Sequence, residues 1–106
     1  DDIAIEARVK GRGVVIVTGC SHSGIVNILK HAVRPGESVA GIIGGLHLVE
    51  ASSERIEKTV AALSDFSPSL VAAGHCTGFR AQAAIYAAFG DRFATMGSGT
   101  VFSFSA

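Results

Sequence analysis

The sequence predicts an α/β fold built on a mixed, mainly parallel sheet, and three observations lead to it. Runs of β-branched residues such as "VVIV" at 14–17 alternate with segments of helical periodicity. Several of these runs end at glycine, which marks the end of a strand. Strands that alternate with helices are joined by right-handed crossovers and therefore pair in parallel. The predicted order is β-β-α-β-α-β-α-β-β, in a single domain over residues 1–106.

Each element follows from a local pattern of residues. Residues 3–9 alternate apolar and polar side chains, which predicts a half-buried strand. The continuous apolar run at 14–18 predicts a strand that is buried on both faces. Further strands are predicted at 39–43, at 68–74 and at two short segments around Gly97-Ser98-Gly99. Helices are predicted at about 23–33, at about 53–64 with Ser52 or Ser53 as N-cap, and at 77–90 with Gly90 as C-cap.

Composition and charge argue against several classes of protein. Nine basic and nine acidic residues leave no net charge, so no basic field favours nucleic acid or an anionic membrane as partner. No apolar stretch reaches the roughly 20 residues that a membrane helix needs, and "DDIAIEARVKGRG" is unlike a signal peptide. Hydrophobic residues make up 48% of the chain. Because a chain with this apolar content can form a core, it does not need disulfides to fold. The two cysteines therefore predict a reducing, cytoplasmic location.

Histidine follows glycine at the ends of three predicted strands. The segments are "VVIVTGCSH", "VAGIIGGLH" and "LVAAGH", which end at His22, His47 and His75. Because parallel neighbours place their C-terminal ends at the same edge of a sheet, these histidines are predicted to converge there, where ligands bind in open α/β folds. The fourth histidine, His31, lies within the first predicted helix and is expected at the surface.

Converging imidazoles indicate a metal site, because imidazole is the commonest metal ligand. His22 and His75 are predicted as ligands, and His47 as a further ligand or a substrate contact. Cys20 and Cys76 are predicted to have packing roles, although Cys20 with His75 remains open as a nucleophilic pair. The glycines of "TGCSHSG" at a strand-to-helix turn are also typical of a phosphate site at residues 19–24.

The motifs "GCSHSGIVNI", "GGLHL" and "GHCTG" together resemble the C-terminal half of a metallo-β-lactamase-superfamily hydrolase. The branch that they resemble most is the ribofuranosylaminobenzene phosphate (dihydropterin) synthase-like one. The resemblance implies an αββα sandwich with one or two metal ions, usually zinc, and the imidazole ligands would also suit iron or manganese. It assigns His22 and His75 as ligands and places His47 where most relatives have a bridging aspartate. It also implies substrate contacts from a set of small residues: Ser21, Ser23, Gly24, Thr77 and Gly78.

The H-x-H-x-D-H cluster of that superfamily does not occur in the 106 residues. The resemblance therefore implies half of an active site, with metal-assisted hydrolysis of a small, phosphorylated substrate as the reaction of the full enzyme. The isolated chain is expected to be weakly active or inactive unless the missing half or a second copy complements it. The alternative is a non-catalytic half-domain that self-associates through an exposed apolar sheet face.

Overall fold

A computed structural model describes residues 3–104, except for the side chain of His75. Its strands are β1 (Ala4–Val9), β2 (Gly13–Thr18), β3 (Val39–Gly45), β4 (Val71–Gly74) and β5 (Phe93–Thr95). Its helices are α1 (Ile25–Ala32), α2 (Ser53–Asp65) and α3 (Phe79–Phe89). Short 3-10 turns, His75–Thr77 and Gly90–Arg92, lie on either side of α3.

The five strands form one sheet in the order β1-β2-β3-β4-β5. β1 pairs antiparallel with β2, and the other neighbours pair in parallel. This arrangement confirms the predicted mixed α/β sheet. The parallel crossovers run in one direction across the sheet, so their right-handedness places all three helices on the same face.

The last predicted strand is wrong as far as the chain is described, because residues 101–104 form no strand there. The ring of Phe104 lies instead against Gly41, where an added Cβ would come within 2.8 Å of its Cζ. Packing of this half-buried ring on the sheet face takes the place of pairing at the sheet edge. β4 is also shorter than predicted, since it begins only at Val71, after Pro68 and its missing N–H.

The core lies between the helices and the sheet face that they cover. Alternate strand residues point into it, among them Val14, Ile16, Ile42 and Val71, each of which is fully buried. They pack against apolar side chains of the three helices, including Leu29 of α1. This is the pattern expected for strands with period-two alternation and amphipathic helices.

The opposite sheet face is largely uncovered near β1, which corrects two predictions. The predicted half-buried strand 3–9 is mostly exposed, with Ile3 and Ile5 at 74% and 59% exposure. The run at 14–18 is not buried on both faces, since Val17 is 37% exposed. Ile5 and Val17 are direct cross-strand partners. We call the surface formed by Ile3, Ile5 and Val17 the open face.

An ion pair attaches β1 to the helical side of the molecule. Arg8 donates from Nε to a carboxylate oxygen of Glu37 over 2.7 Å, and from Nη2 to the carbonyl of Ala32 at the end of α1. The hydrogen bond from Arg8 is the main cause that lowers the pKa of Glu37, and the same bond raises the pKa of Arg8. The charged forms of both groups are therefore favoured in the folded chain.

Within the described residues, no helix has both the length and the apolar character that crossing a membrane requires.

Candidate functional site

The C-terminal ends of β2, β3 and β4 lie side by side at one edge of the sheet, as their parallel register requires. Three segments leave this edge: residues 19–24, 46–51 and 75–78. Hydrogen bonds connect each segment to its neighbour, so the relative positions of the segments are fixed by the fold.

Ser21 connects the first segment to the end of β3, where the second segment begins. Its Oγ donates to the carbonyl of Gly45 over 2.7 Å and lies 3.2 Å from Thr18 Oγ1. The amide of Gly45 in turn donates to the carbonyl of Gly19 over 2.7 Å. Ser21 has a left-handed φ of 61° and is 1% exposed. Its hydroxyl thus points into the protein and has a structural role, and the substrate contact of Ser21 stays a prediction.

Thr77 has the corresponding position between the second and third segments. Its Oγ1 accepts a hydrogen bond of 2.9 Å from the amide of Leu46. The carbonyl of Cys76 accepts two more, from the amides of Leu48 and Val49. Thr77 is fully buried, and its hydroxyl holds the His47 segment in place. Its role in substrate binding stays a prediction.

His22 and His47 are brought together, with ring centroids 4.2 Å apart and ring planes inclined by 55°. The backbone explains how His47 reaches this position. Its φ is 52°, in the left-handed region, and it lies between the buried Leu46 and Leu48. The two leucines anchor the segment in the core, while the imidazole between them is exposed beside that of His22.

His75 follows β4 directly, at the same edge of the sheet. Its side chain lies outside the described part of the structure, so its predicted convergence with the other two imidazoles stays a prediction. His31 is exposed on α1, as expected from its position in the sequence.

The two cysteines are free thiols that lie half-buried next to the histidine pair. Cys76 Sγ donates to the carbonyl of Cys20 over 3.3 Å, which connects the first and third segments. This contact supports the predicted packing role for Cys76.

The three predicted small residues Ser23, Gly24 and Gly78 differ in their surroundings. Ser23 is exposed, and Gly24, with φ of 94°, directly precedes α1. Gly78 has φ of 84°, and an added Cβ would come within 2.7 Å of the Cα of Val49. Close packing of two segments therefore accounts for glycine at position 78, which is half-buried like Gly24, and Ser23 is the exposed residue of the three.

A cleft of about 470 Å³ opens at the histidine pair, a size that suits small molecules. Its lining consists of His22, His47, Val49, Glu50, Ala51, Arg55 and Cys76. Arg55 was not predicted from the sequence. It lies eight positions after His47, in the first turn of α2. The sequence motifs comprised only residues that directly follow strands, so they did not include it.

The cleft contains donor atoms of a type that binds metal ions. Two adjacent, exposed imidazoles are suitable ligands for zinc, iron or manganese. Among the side chains that the structure describes, however, no group of three or more His, Cys, Asp or Glu residues is arranged to hold an ion. The described residues thus provide two imidazole donors but no complete metal site.

Two curated proteins of Methanocaldococcus jannaschii are similar to the chain in sequence. One is named 7,8-dihydropterin-6-methyl-4-(beta-D-ribofuranosyl)-aminobenzene-5'-phosphate synthase and is 37% identical over 106 aligned residues, which cover 98% of this chain and 36% of that protein. The other is an uncharacterized protein, 37% identical over 70 residues, which cover 63% of this chain and 25% of that protein. No protein-family model matches the chain.

A solved structure supports the same relationship. The crystal structure of Tm1679, a metal-dependent hydrolase of the β-lactamase superfamily, matches with a TM-score of 0.86 and 35% identity. The match covers 97% of this chain and 40% of that chain. The predicted resemblance is thus confirmed in sequence and in fold, and the chain spans less than half the length of these proteins.

Proposed function

Because this chain has the fold of part of a metal-dependent β-lactamase-superfamily hydrolase and is 35% identical to it, we propose that it forms part of a hydrolase active site. The observation that supports this proposal most strongly is the pairing of His22 and His47, 4.2 Å apart at the edge of the sheet. In this proposal both imidazoles bind a divalent ion, and His75, at the end of the neighbouring strand, provides a further ligand.

The proposed role of this chain's residues is to bind the metal ion and to hold it in a fixed position. His22 and His47 present nitrogen donors to the cleft from two segments that Ser21 and Thr77 hold in register. A divalent ion, with zinc as the first candidate and iron or manganese as alternatives, activates water and polarises the oxygen of a carbonyl or phosphoryl group. The hydrogen-bonded segments fix the imidazoles before substrate binds, which favours catalysis by preorganisation.

The rest of the site must be supplied from outside the described residues. The chain covers 36% of the synthase and 40% of the solved hydrolase. We expect the remaining ligands and the group that accepts the proton of water to come from a complementary segment or a second copy. The isolated chain is accordingly expected to have weak activity or none.

A small molecule that carries a phosphate is the proposed substrate. The synthase is named after a compound that carries a 5'-phosphate, and Ser23 and Gly24 lie at the beginning of α1, where backbone amides favour anions. We place the protein in the cytoplasm, since both of its cysteines are free thiols. Neither nucleic acid nor a membrane is proposed as a partner, because the net charge is zero.

Metal binding tests this proposal. Zinc affinity is measured by competition with a chromophoric chelator for the full chain and for His22→Ala, His47→Ala and His75→Ala. We expect about a tenfold or larger loss of affinity in each variant, because each removes one donor. His31→Ala, an exposed histidine on α1, is the matched control and should bind zinc like the wild type. Equal zinc affinity in the wild type and in the first three variants would contradict the proposal.

The open face favours a second candidate function, a non-catalytic half-domain that self-associates. Ile3, Ile5 and Val17 expose apolar surface that a second copy of the chain would bury. Light scattering of the wild type and of Val17→Lys tests this candidate. A wild-type dimer that dissociates in the variant would support it, whereas a wild-type monomer would exclude it.

A further inference from the structure

Arg55 extends from a firmly held backbone into the histidine cleft. Its amide donates to Oγ of Ser52, the N-cap of α2, over 3.2 Å. Its carbonyl accepts a hydrogen bond of 2.8 Å from Oγ1 of Thr59. The backbone of Arg55 is thus held in place, while its side chain is exposed and lines the cleft with His22 and His47.

Arg55 also lines a second, smaller cleft of about 150 Å³. That cleft is bordered by residues 24–27, Leu46, Leu48, Arg55 and Thr59. Since Arg55 contributes to both clefts, it lies where the histidine site meets the segment around Gly24. A ligand that contacts Arg55 can therefore reach the imidazoles from the side of α1.

The guanidinium of Arg55 differs in its partners from those of Arg8 and Arg92. Arg8 is paired with Glu6 and Glu37, and Arg92 donates to the carbonyl of Pro68. In the part of the chain that the structure describes, no ion pair involves Arg55. Its side-chain donors are thus available to a ligand, although Glu50 contributes a negative charge to the same cleft.

We propose that Arg55 determines substrate specificity by binding a phosphate group of the substrate while the reacting bond lies at His22 and His47. The inference rests on the proposed function and assigns the substrate-anchoring role to a residue of this chain. A guanidinium presents a planar fork of donors that matches two phosphate oxygens, and it keeps its charge at all physiological pH values. Arg55 acts here through binding and orientation, and it takes no proton from the reacting atoms.

The test uses phenyl phosphate as the probe and the full chain from which metal has been removed. Isothermal titration compares the wild type with Arg55→Gln and Arg55→Lys. We expect Arg55→Gln to weaken phenyl phosphate binding by about tenfold or more, because a charge-assisted pair is lost. Arg55→Lys should lose less, since it keeps the charge but not the fork. Arg12→Gln makes the same charge change in the β1–β2 turn, at the other end of the sheet, and should bind like the wild type.

Two results would overturn the inference. One is equal binding of phenyl phosphate by the wild type and by Arg55→Gln. The other is Arg55-dependent binding of benzoate that equals or exceeds that of phenyl phosphate, since this would assign a carboxylate to the site. Circular dichroism of each variant shows that the fold is kept. The zinc measurements on the histidine variants are separate, so failure of the metal site and failure of the phosphate site are distinguished.

Discussion

The two faces of the sheet are made from the same strands but have opposite environments. On one face, Val14 and Ile16 of β2 are fully buried beneath the helices. On the other, Val17 of the same strand is 37% exposed, and its partner Ile5 is 59% exposed. β2 carries apolar side chains on both faces, but Glu6 and Arg8 of β1 lie on the helical face. The apolar side of β1 is therefore the exposed one, and its alternation alone does not show which face is covered.

This difference shows which parts of the fold the chain completes by itself. The helical face is covered by segments that directly follow their strands in the sequence. The other face is covered only in places, as where Phe104 lies on Gly41. Since the chain spans 36% of the synthase and 40% of the solved hydrolase, the exposed apolar side chains match the proposal that a complementary segment or a second copy contacts the open face.

The largest expected difference in stability is between two variants, each with one substitution on a different face of the sheet. Ile42→Ala removes a fully buried side chain from the helical face and should lower the free energy of unfolding by about 2–5 kcal/mol. Ile5→Ala removes the same atoms from the open face and should cost less than about 0.5 kcal/mol in the monomer. Urea unfolding of the full chain and the two variants measures both values. Similar losses in the two variants would mean that the open face is already covered in solution.

A smaller loss of stability is expected from a substitution at the candidate site. Thr77→Val keeps the shape of the side chain but removes the acceptor for the buried amide of Leu46. It should lower the free energy of unfolding by about 1–3 kcal/mol. It should also weaken zinc binding, because the segment that carries His47 loses its support. Thr95→Val, at an exposed position of β5, is the matched control, and an equal loss in both variants would remove the structural role assigned to Thr77.

The smallest effect is expected at the ion pair that attaches β1. The hydrogen bond from Arg8 lowers the pKa of Glu37 below its ordinary value of 4.5. A lowered carboxyl pKa stabilises the fold above the unfolded-state pKa, and this contribution is lost as the pH falls through the folded-state pKa. The wild type should therefore be slightly more stable than Glu37→Gln at pH 7, and the difference should decrease below pH 4.5 and vanish once the pH is below the folded-state pKa. Urea unfolding at several pH values measures this, and a difference that persists in acid would contradict the assignment.

The fold and the histidine pair were predictable because both depend on periodic patterns. Strand-glycine-histidine repeats placed His22 and His47 at one edge, and parallel pairing brings their rings together. The orientation of the small polar residues was not predictable. A serine or threonine after a strand can face a ligand or a neighbouring backbone amide, and Ser21 and Thr77 face the protein. Arg55 was missed because α2 carries it into the cleft, and helix placement is a tertiary property.

The left-handed backbone at His47 has a consequence for how such a site can diverge. Few residue types with side-chain donors adopt φ near 52° readily, and Asp, Asn and His are enriched among them. Exchange among these three would replace one donor atom by another and alter the charge of the cleft, while the buried leucines on both sides keep the loop unchanged. A β-branched residue would require the loop to refold. The backbone conformation at position 47 thus restricts which side-chain donor atoms can arise there by substitution.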